Sequence, residues 1–154
     1  MKSIFSALAI FLLVFLFSTH AATYNNTVSG SQTAAAESGS VALNLNASGD
    51  LPGMLSITLR HEAGNVNGGT WTLTVLPPNA DASSNETGTL TGNLTGGTLA
   101  LDANGIATAA NSVQLNVQSG TGQFSTTNAG SGTLSLSADP ENSTKLGGPL
   151  ALNF

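Results

Sequence analysis

The fold class is decided by one alternating stretch, Thr70-Trp71-Thr72-Leu73-Thr74-Val75. Large apolar side chains and threonines follow each other with a period of two, which places them on opposite faces of a β-strand. A strand with one apolar and one hydroxyl-rich face belongs to a sheet that covers a core on one side only. The stretch therefore predicts an all-β fold in which Trp71 is a core residue rather than an exposed platform for sugars.

The same alternation recurs on both sides of this stretch. It predicts regular strands over residues 41–45, 55–59, 113–117, 134–137 and 150–154, and less regular ones over 87–91 and 94–101. No useful length of chain after the first 21 residues has apolar side chains at helical spacing. About eight antiparallel strands are typical of a small β-barrel or a β-sandwich, and alternation alone does not distinguish the two.

Glycine-containing pairs separate many of these segments. Asn-Gly and Gly-Gly supply the positive φ angles of tight hairpins, so we expect neighbouring strands to be antiparallel. The predicted turns are Asn67-Gly68-Gly69, Gly96-Gly97, Asn104-Gly105 and Gly147-Gly148, together with the Pro77-Pro78-Asn79 break and an exposed loop at 81–86.

The chain begins with a pattern that predicts export. Lys2 precedes an apolar run over residues 4–17, and small residues follow it. These are the parts of a cleaved signal peptide, and the run is shorter than the roughly 20 residues of a membrane-spanning helix. We expect residues 1–21 to be removed, with cleavage after Ala21 or, alternatively, after Ala22. The mature chain is then secreted or periplasmic, with no membrane anchor expected.

The remaining chain divides into two expected parts. Between Tyr24 and Ser40 the residues are small, polar and aperiodic, which is typical of a flexible arm. The prediction is a signal peptide over 1–21, a flexible polar arm over 22–40 and a single all-β domain over 41–154.

Charged residues are scarce and mostly acidic. They make up 7% of the chain, whose formal net charge is −5, and only Arg60 and Lys145 remain basic after the leader. Nucleic acids and anionic membranes are bound by clustered Lys and Arg, so neither is an expected partner. Charges also protect exposed strand edges, and their scarcity leaves self-association through such edges as an expectation.

Residues for catalysis or metal binding are few. The chain has no cysteine, which excludes disulfides, thiolate metal sites and thiol catalysis. His61 is the one histidine after the leader, so any catalytic triad would need it, with Glu62 as a neighbouring carboxylate. Solvated residues at a strand end are the simpler interpretation.

Three aspartates lie at predicted strand ends. Asp50, Asp102 and Asp139 occupy positions where Asp usually accepts hydrogen bonds from turn amides. Asp102-Ala103-Asn104-Gly105 is weakly similar to the start of a calcium loop, but the downstream glutamate is missing. We therefore predict no catalytic, cofactor-binding or metal site. Glycosylation sequons occur at Asn25, Asn46, Asn85, Asn93 and Asn142, and they matter only if the host glycosylates.

One segment resembles a known family. Gly120-Thr121-Gly122-Gln123-Phe124, followed by Ala129-Gly130-Ser131-Gly132-Thr133-Leu134, is similar to the pattern of dirigent and allene oxide cyclase-like barrels. There a Gly-Thr-Gly-x-Phe turn and strand leads into a Gly-x-Gly hairpin. The resemblance covers about fifteen residues and implies an eight-stranded antiparallel barrel, often trimeric, with Phe124 inside and a pocket at one mouth. The catalytic residues of the plant enzymes have no counterparts here.

Three functions follow from these observations. The favoured one is a non-enzymatic structural or binding protein of the cell envelope or extracellular matrix. The first alternative is a dirigent or allene oxide cyclase-like barrel that binds or isomerises a small apolar molecule in a cavity with one or two buried polar groups. The second is a small outer-membrane barrel, suggested by the closing alternation of Leu150, Leu152 and Phe154. The four aromatic residues left after the leader are too few for the aromatic girdles of such barrels.

Overall fold

A computed structural model describes residues 21–33, 39–76 and 87–154. In these residues eight antiparallel strands form a closed barrel in which each strand pairs with its neighbours in the chain. The strands are β1 (Thr23–Gln32), β2 (Ser40–Gly49), β3 (Gly53–Glu62), β4 (Asn65–Val75), β5 (Gly88–Leu101), β6 (Ala107–Gly120), β7 (Gly130–Ala138) and β8 (Lys145–Asn153). The predicted all-β antiparallel fold is confirmed, and the barrel rather than the sandwich is the correct architecture. The predicted signal peptide, apart from Ala21, lies outside the described residues.

The first and last strands close the barrel. β1 pairs with β8 from Thr23 opposite Asn153 to Ser31 opposite Lys145. The pairing continues one residue further, because Ala22 and Phe154 exchange two backbone hydrogen bonds of 2.9 and 3.1 Å. A closed barrel has no open sheet edge. The eight described strands therefore leave no free edge for self-association, and self-association through another surface stays a prediction.

β1 lies where a flexible arm was predicted. The prediction of an arm over residues 22–40 is wrong for Thr23–Gln32, which pair with β2 on one side and with β8 on the other. The inward positions of this strand include Tyr24, Asn26 and Val28. Only one of these side chains is aliphatic, so the strand lacks the Leu and Val alternation that identifies the others. Its place in the barrel comes from ladder hydrogen bonds on both sides.

Glycine pairs within strands account for the other differences. β5 joins the two less regular segments into one strand, and Gly96-Gly97 forms an irregularity inside it, with register shifts on both sides of Gly96. Gly68-Gly69 lie inside β4 and Gly147-Gly148 inside β8. The three predicted turns at these pairs are therefore wrong, because glycine also serves bulges and close backbone approaches within sheets.

The hairpin turns lie at other positions. Asn104-Gly105 lies in the β5–β6 turn as predicted, and Gly105 has a φ of 77°. β3 and β4 are joined by Ala63 and Gly64, whose φ angles of 48° and 80° are both positive. Two positive φ angles in a two-residue loop define a type I′ turn. The Pro77-Pro78-Asn79 break and the 81–86 loop lie outside the described residues.

Aliphatic side chains fill the barrel interior, and polar ones cover its outside. Leu43, Leu55, Leu73, Leu134 and Leu152 are among the fully buried side chains, whereas the outward positions are mostly Asn, Ser and Thr.

In the described part of the chain, no helix has the length and apolarity that crossing a membrane requires.

Trp71 is a core residue, as predicted. Its side chain is 2% exposed, and its indole Nε1–H donates a hydrogen bond of 3.3 Å to the backbone oxygen of Asn116 on β6. Gly92 of β5 lies directly opposite Trp71 in the ladder. Because Gly92 has no side chain, the indole can extend past β5 and reach β6.

Candidate functional site

One end of the barrel gathers three aromatic side chains. Tyr24 is near the start of β1, Phe154 directly follows β8, and Phe124 belongs to a short 3-10 turn, Gly122–Phe124, between β6 and β7. These positions meet because Asn153 of β8 pairs with Thr23 of β1 and with Ser131 of β7. We call this the aromatic end of the barrel. It holds three of the four aromatic residues that follow the leader.

The three rings pack in favourable geometries. Tyr24 and Phe154 are stacked, with ring centroids 4.7 Å apart and planes inclined by 18°. Phe124 meets Phe154 edge to face, at 5.9 Å and 84°. Both arrangements match the charge distribution of aromatic rings, and each pair contributes about 0.5–1.5 kcal/mol beyond burial. Phe124 is buried, whereas Tyr24 and Phe154 are half-buried.

Glycines make room for Phe124. A Cβ atom on Gly88 would lie 2.9 Å from Phe124 Cδ2, and one on Gly120 would lie 2.5 Å from Phe124 Cβ. The turn is held by the Phe124 N–H donating to Thr121 O and by the Thr127 N–H donating to Phe124 O, at 3.1 and 2.8 Å. The predicted turn is present at Gly120–Phe124, and the predicted burial of Phe124 in the barrel core is confirmed.

An open cleft of about 830 Å³ lies beside these rings. Tyr24, Phe124 and Phe154 contribute aromatic surface to it, and Gln123, Thr126, Thr127, Asn128, Ser131 and Asn153 contribute amide and hydroxyl groups. None of the described side chains that line it carries a formal charge. Such a surface can stack against a ligand and exchange hydrogen bonds with it. Its described side chains include no carboxylate or imidazole that could act as a general acid or base.

Asn26 lies one inward position deeper than Tyr24 on β1. Its side chain is 6% exposed and is the one buried polar side chain among the described residues. Asn26 Oδ1 accepts a hydrogen bond of 2.8 Å from the Leu51 N–H, which joins the β2–β3 hairpin to β1. The Nδ2 group is buried without a hydrogen-bond partner. Among the described residues, Asn26 therefore supplies a buried, unpaired donor near the aromatic end of the barrel.

The histidine lies at the opposite end of the barrel. His61 is in β3, beside a register shift between Arg60 and His61. Both ring nitrogens are buried, and neither has a hydrogen-bond partner among the described residues, while Glu62 is exposed. The imidazole is therefore not oriented by a carboxylate, as a triad would require. The prediction that His61 is a solvated residue is wrong for its ring nitrogens.

The aspartates have structural roles. Asp102 Oδ1 accepts hydrogen bonds from the N–H groups of Asn104 and Ile106, both at 2.8 Å. The bond from Ile106 is the main cause that lowers the pKa of Asp102 below its ordinary value of 3.8. Asp139 accepts from the Glu141 N–H at 2.8 Å, and Asp50 from the Asn25 N–H at the same distance. The predicted bonding to turn amides is confirmed for Asp102 and Asp139, whereas Asp50 bonds to strand β1 instead.

The other candidate ligands are dispersed. Among the described residues, no three of the His, Asp and Glu side chains come together as a metal site would require. Four of the predicted sequon asparagines, Asn25, Asn46, Asn93 and Asn142, are exposed. Asn85 lies outside the described residues.

The fold and the cleft together define a closed, eight-stranded up-and-down β-barrel with an uncharged aromatic cleft at one end. Comparison of the chain with protein-family models, with curated proteins and with solved structures finds no match. The barrel that the dirigent and allene oxide cyclase resemblance implied is present, but no family match supports membership.

Sequence reasoning identified one of the three clustered rings. Phe124 was identified through its glycine-rich motif. Tyr24 fell in the predicted arm, and Phe154 was assigned only to a closing strand. The missing signal was the pairing of β1 with β8, which no local pattern reveals.

Proposed function

We propose that this chain is an exported, non-enzymatic binding protein of the cell envelope or extracellular matrix, and that its ligand occupies the cleft at the aromatic end. The observation that carries the proposal is the cleft itself, which is lined by both half-buried aromatic rings and polar side chains. The Asn128 and Ser131 side chains make no hydrogen bond to other described residues, so both are available to a ligand. Export rests on the predicted leader at 1–21.

Binding is favoured over catalysis by the chemistry of the cleft. General acid-base catalysis needs a titratable group within hydrogen-bond reach of the reacting atoms. Nucleophilic catalysis needs a hydroxyl or thiol activated by a neighbouring base. The described lining supplies hydroxyls and amides without such a base. His61, the one imidazole after the leader, lies at the other end of the barrel.

The dirigent and allene oxide cyclase-like alternative is favoured by one observation. The free Nδ2 group of Asn26 is a buried donor of the kind expected in a barrel that holds a small apolar ligand. Against this alternative, the buried side chains of the described barrel form one apolar core, mostly of Leu and Val with Trp71 and Phe124. We therefore rank it second.

The outer-membrane alternative requires the opposite distribution of side chains. Such barrels turn apolar side chains toward lipid and polar ones toward the lumen. In this barrel the outward positions of the strands are mostly Asn, Ser and Thr, and the inward ones are Leu and Val. Met54 and Leu76, which are 49% and 48% exposed, are the large apolar side chains on the described surface. This distribution supports a barrel whose outer surface is in contact with water.

The proposal is tested by mapping ligand contacts in solution. Residues 22–154, which contain the whole barrel, are labelled with ¹⁵N and titrated with oligosaccharides, small apolar compounds and peptides. We expect saturable amide shifts at Phe124, Asn128 and Ser131. Asn128→Arg should abolish them by filling the cleft, whereas Asn67→Arg, an exposed change near the opposite end, should leave them intact. Saturable binding that maps to another surface, or no binding by any compound, would contradict the proposal.

A further inference from the structure

We infer that the cleft binds a neutral carbohydrate and that one sugar ring lies against the outer face of the stacked Tyr24–Phe154 pair. This inference rests on the proposed function, because it names the chemical class of the ligand for the same cleft. A pyranose ring has a face of C–H groups and a rim of hydroxyls. The cleft has the two complementary surfaces, aromatic faces and an amide and hydroxyl wall.

The aromatic component is rigid and partly open. Tyr24 and Phe154 stack at 4.7 Å, and buried Phe124 packs against Phe154 in an edge-to-face arrangement at 5.9 Å. Each of the two half-buried rings also lines the cleft. The negative face of an aromatic ring attracts the weakly positive C–H groups of a sugar. A platform fixed in advance loses little conformational entropy when a ligand is bound.

The polar side chains of the cleft favour a ligand that carries hydroxyl groups and no net charge. Asn128 and Ser131 offer both donors and acceptors, and neither is used by another described residue. No side chain of the described lining is charged, so an anionic or cationic ligand would gain no ion pair with a side chain there. This argues against nucleotides, acidic glycans and charged peptides.

The shape of the barrel argues against the other neutral ligands. Small apolar molecules are held in pockets that enclose most of their surface, whereas this cleft is open to solvent and half of its exposed lining is polar. Extended peptides often bind by adding a strand to an open sheet edge, and a closed barrel offers none. A carbohydrate needs only one face covered and can keep its remaining hydroxyls in water.

The test compares two substitutions at one position. Calorimetry and ¹⁵N-amide shifts are recorded for residues 22–154 with neutral hexasaccharides of glucose, xylose and N-acetylglucosamine, each with β-1,4 links. An oligogalacturonate, a dodecyl alcohol and an uncharged peptide serve as comparison ligands. Tyr24→Phe keeps the aromatic face and should bind within about threefold of the parent, whereas Tyr24→Leu removes it and should weaken binding about tenfold or more.

A second pair of variants makes the test independent of Tyr24. Asn128→Ala should weaken saccharide binding about fivefold or more through lost hydrogen bonds, and Asn67→Ala should not change it. Trp71 fluorescence reports whether each variant is folded, since Trp71 is in the core.

The outcomes separate this inference from the proposed function. Cleft shifts caused by a neutral saccharide and reduced in Tyr24→Leu and Asn128→Ala support both. Cleft shifts caused only by the apolar alcohol, the peptide or the charged glycan overturn the carbohydrate inference and keep the binding function. Saccharide binding that maps elsewhere, or that neither variant weakens, overturns the inference, and no binding by any compound overturns both.

Discussion

Replacing Gly92 with alanine tests how the barrel accommodates its single tryptophan. Gly92 lies between Trp71 on β4 and Asn116 on β6, and the Trp71 indole bonds to the Asn116 backbone oxygen. A Cβ atom on Gly92 would lie 2.8 Å from Trp71 Nε1 and would collide with the Asn116 backbone oxygen. The first contact could be relieved by moving the indole, but the second requires the backbone of two adjacent strands to separate.

The expected loss of stability combines two contributions. Overpacking a buried position costs typically 1–3 kcal/mol, and more where the clash is with backbone. Displacing the indole also removes a hydrogen bond to Asn116 O that contributes about 1 kcal/mol. We therefore expect Gly92→Ala to lower the free energy of unfolding by about 3–4 kcal/mol.

Gly96 of the same strand provides the matched control. A Cβ atom there would meet no heavy atom within 4 Å, and its φ is not in the left-handed region. Gly96→Ala should therefore leave the free energy of unfolding nearly unchanged or raise it by about 0.4–1 kcal/mol, because alanine restricts the unfolded chain. Urea denaturation followed by Trp71 fluorescence and by circular dichroism measures both variants. Equal stability of Gly92→Ala and Gly96→Ala would refute this account of the core.

Three further substitutions test other parts of the structure. Phe124→Ala should lower the free energy of unfolding by about 3–5 kcal/mol because it empties the buried aromatic position, and chemical denaturation at an unchanged midpoint would contradict its core placement. Asn26→Ala should cost about 1–3 kcal/mol by leaving the buried Leu51 N–H without an acceptor, and hydrogen exchange at the Leu51 amide should become faster. Asp102 has a folded-state pKa below 3.8, so its contribution to stability is full above that value and is lost as the pH falls through the folded-state pKa. The difference in unfolding free energy between the parent and Asp102→Ala should accordingly be constant from pH 5 to pH 7 and shrink in more acidic buffers, and a difference that grew with acidity would contradict the observed hydrogen bonds.

The sequence predicted strands well where aliphatic residues alternate. Leu43 and Leu45 in β2 or Leu55 and Ile57 in β3 are inward residues that period-2 reasoning identifies directly. The same reasoning failed for β1, where the inward Asn26 is satisfied in part by the Leu51 N–H. That bond exists only after the β2–β3 hairpin is in place, so it is tertiary information that no window of β1 contains.

Glycine pairs caused most of the incorrect turn predictions. Ala63-Gly64 makes a real hairpin turn with both φ angles positive, although alanine gives no turn signal. Gly69 lies within β4, and this position requires glycine. A Cβ atom there would lie 3.1 Å from Leu59 Cα and would collide with the Thr58 backbone oxygen. A glycine required by a neighbouring strand and a glycine required by a turn look the same in one sequence.

Barrel closure changes where function can reside. With β1 paired to β8, the strand edges that supported the idea of lateral assembly are occupied, and the interior is filled by fully buried aliphatic side chains. The outer surface and the two ends remain. Of these, the aromatic end combines half-buried rings that pack against the core with the Asn128 and Ser131 side chains, which no other described residue uses. Partly exposed apolar surface of this kind is typical of a binding site. For these reasons we place the proposed ligand at the aromatic end, where Tyr24 and Phe154 line an open cleft without charged side chains.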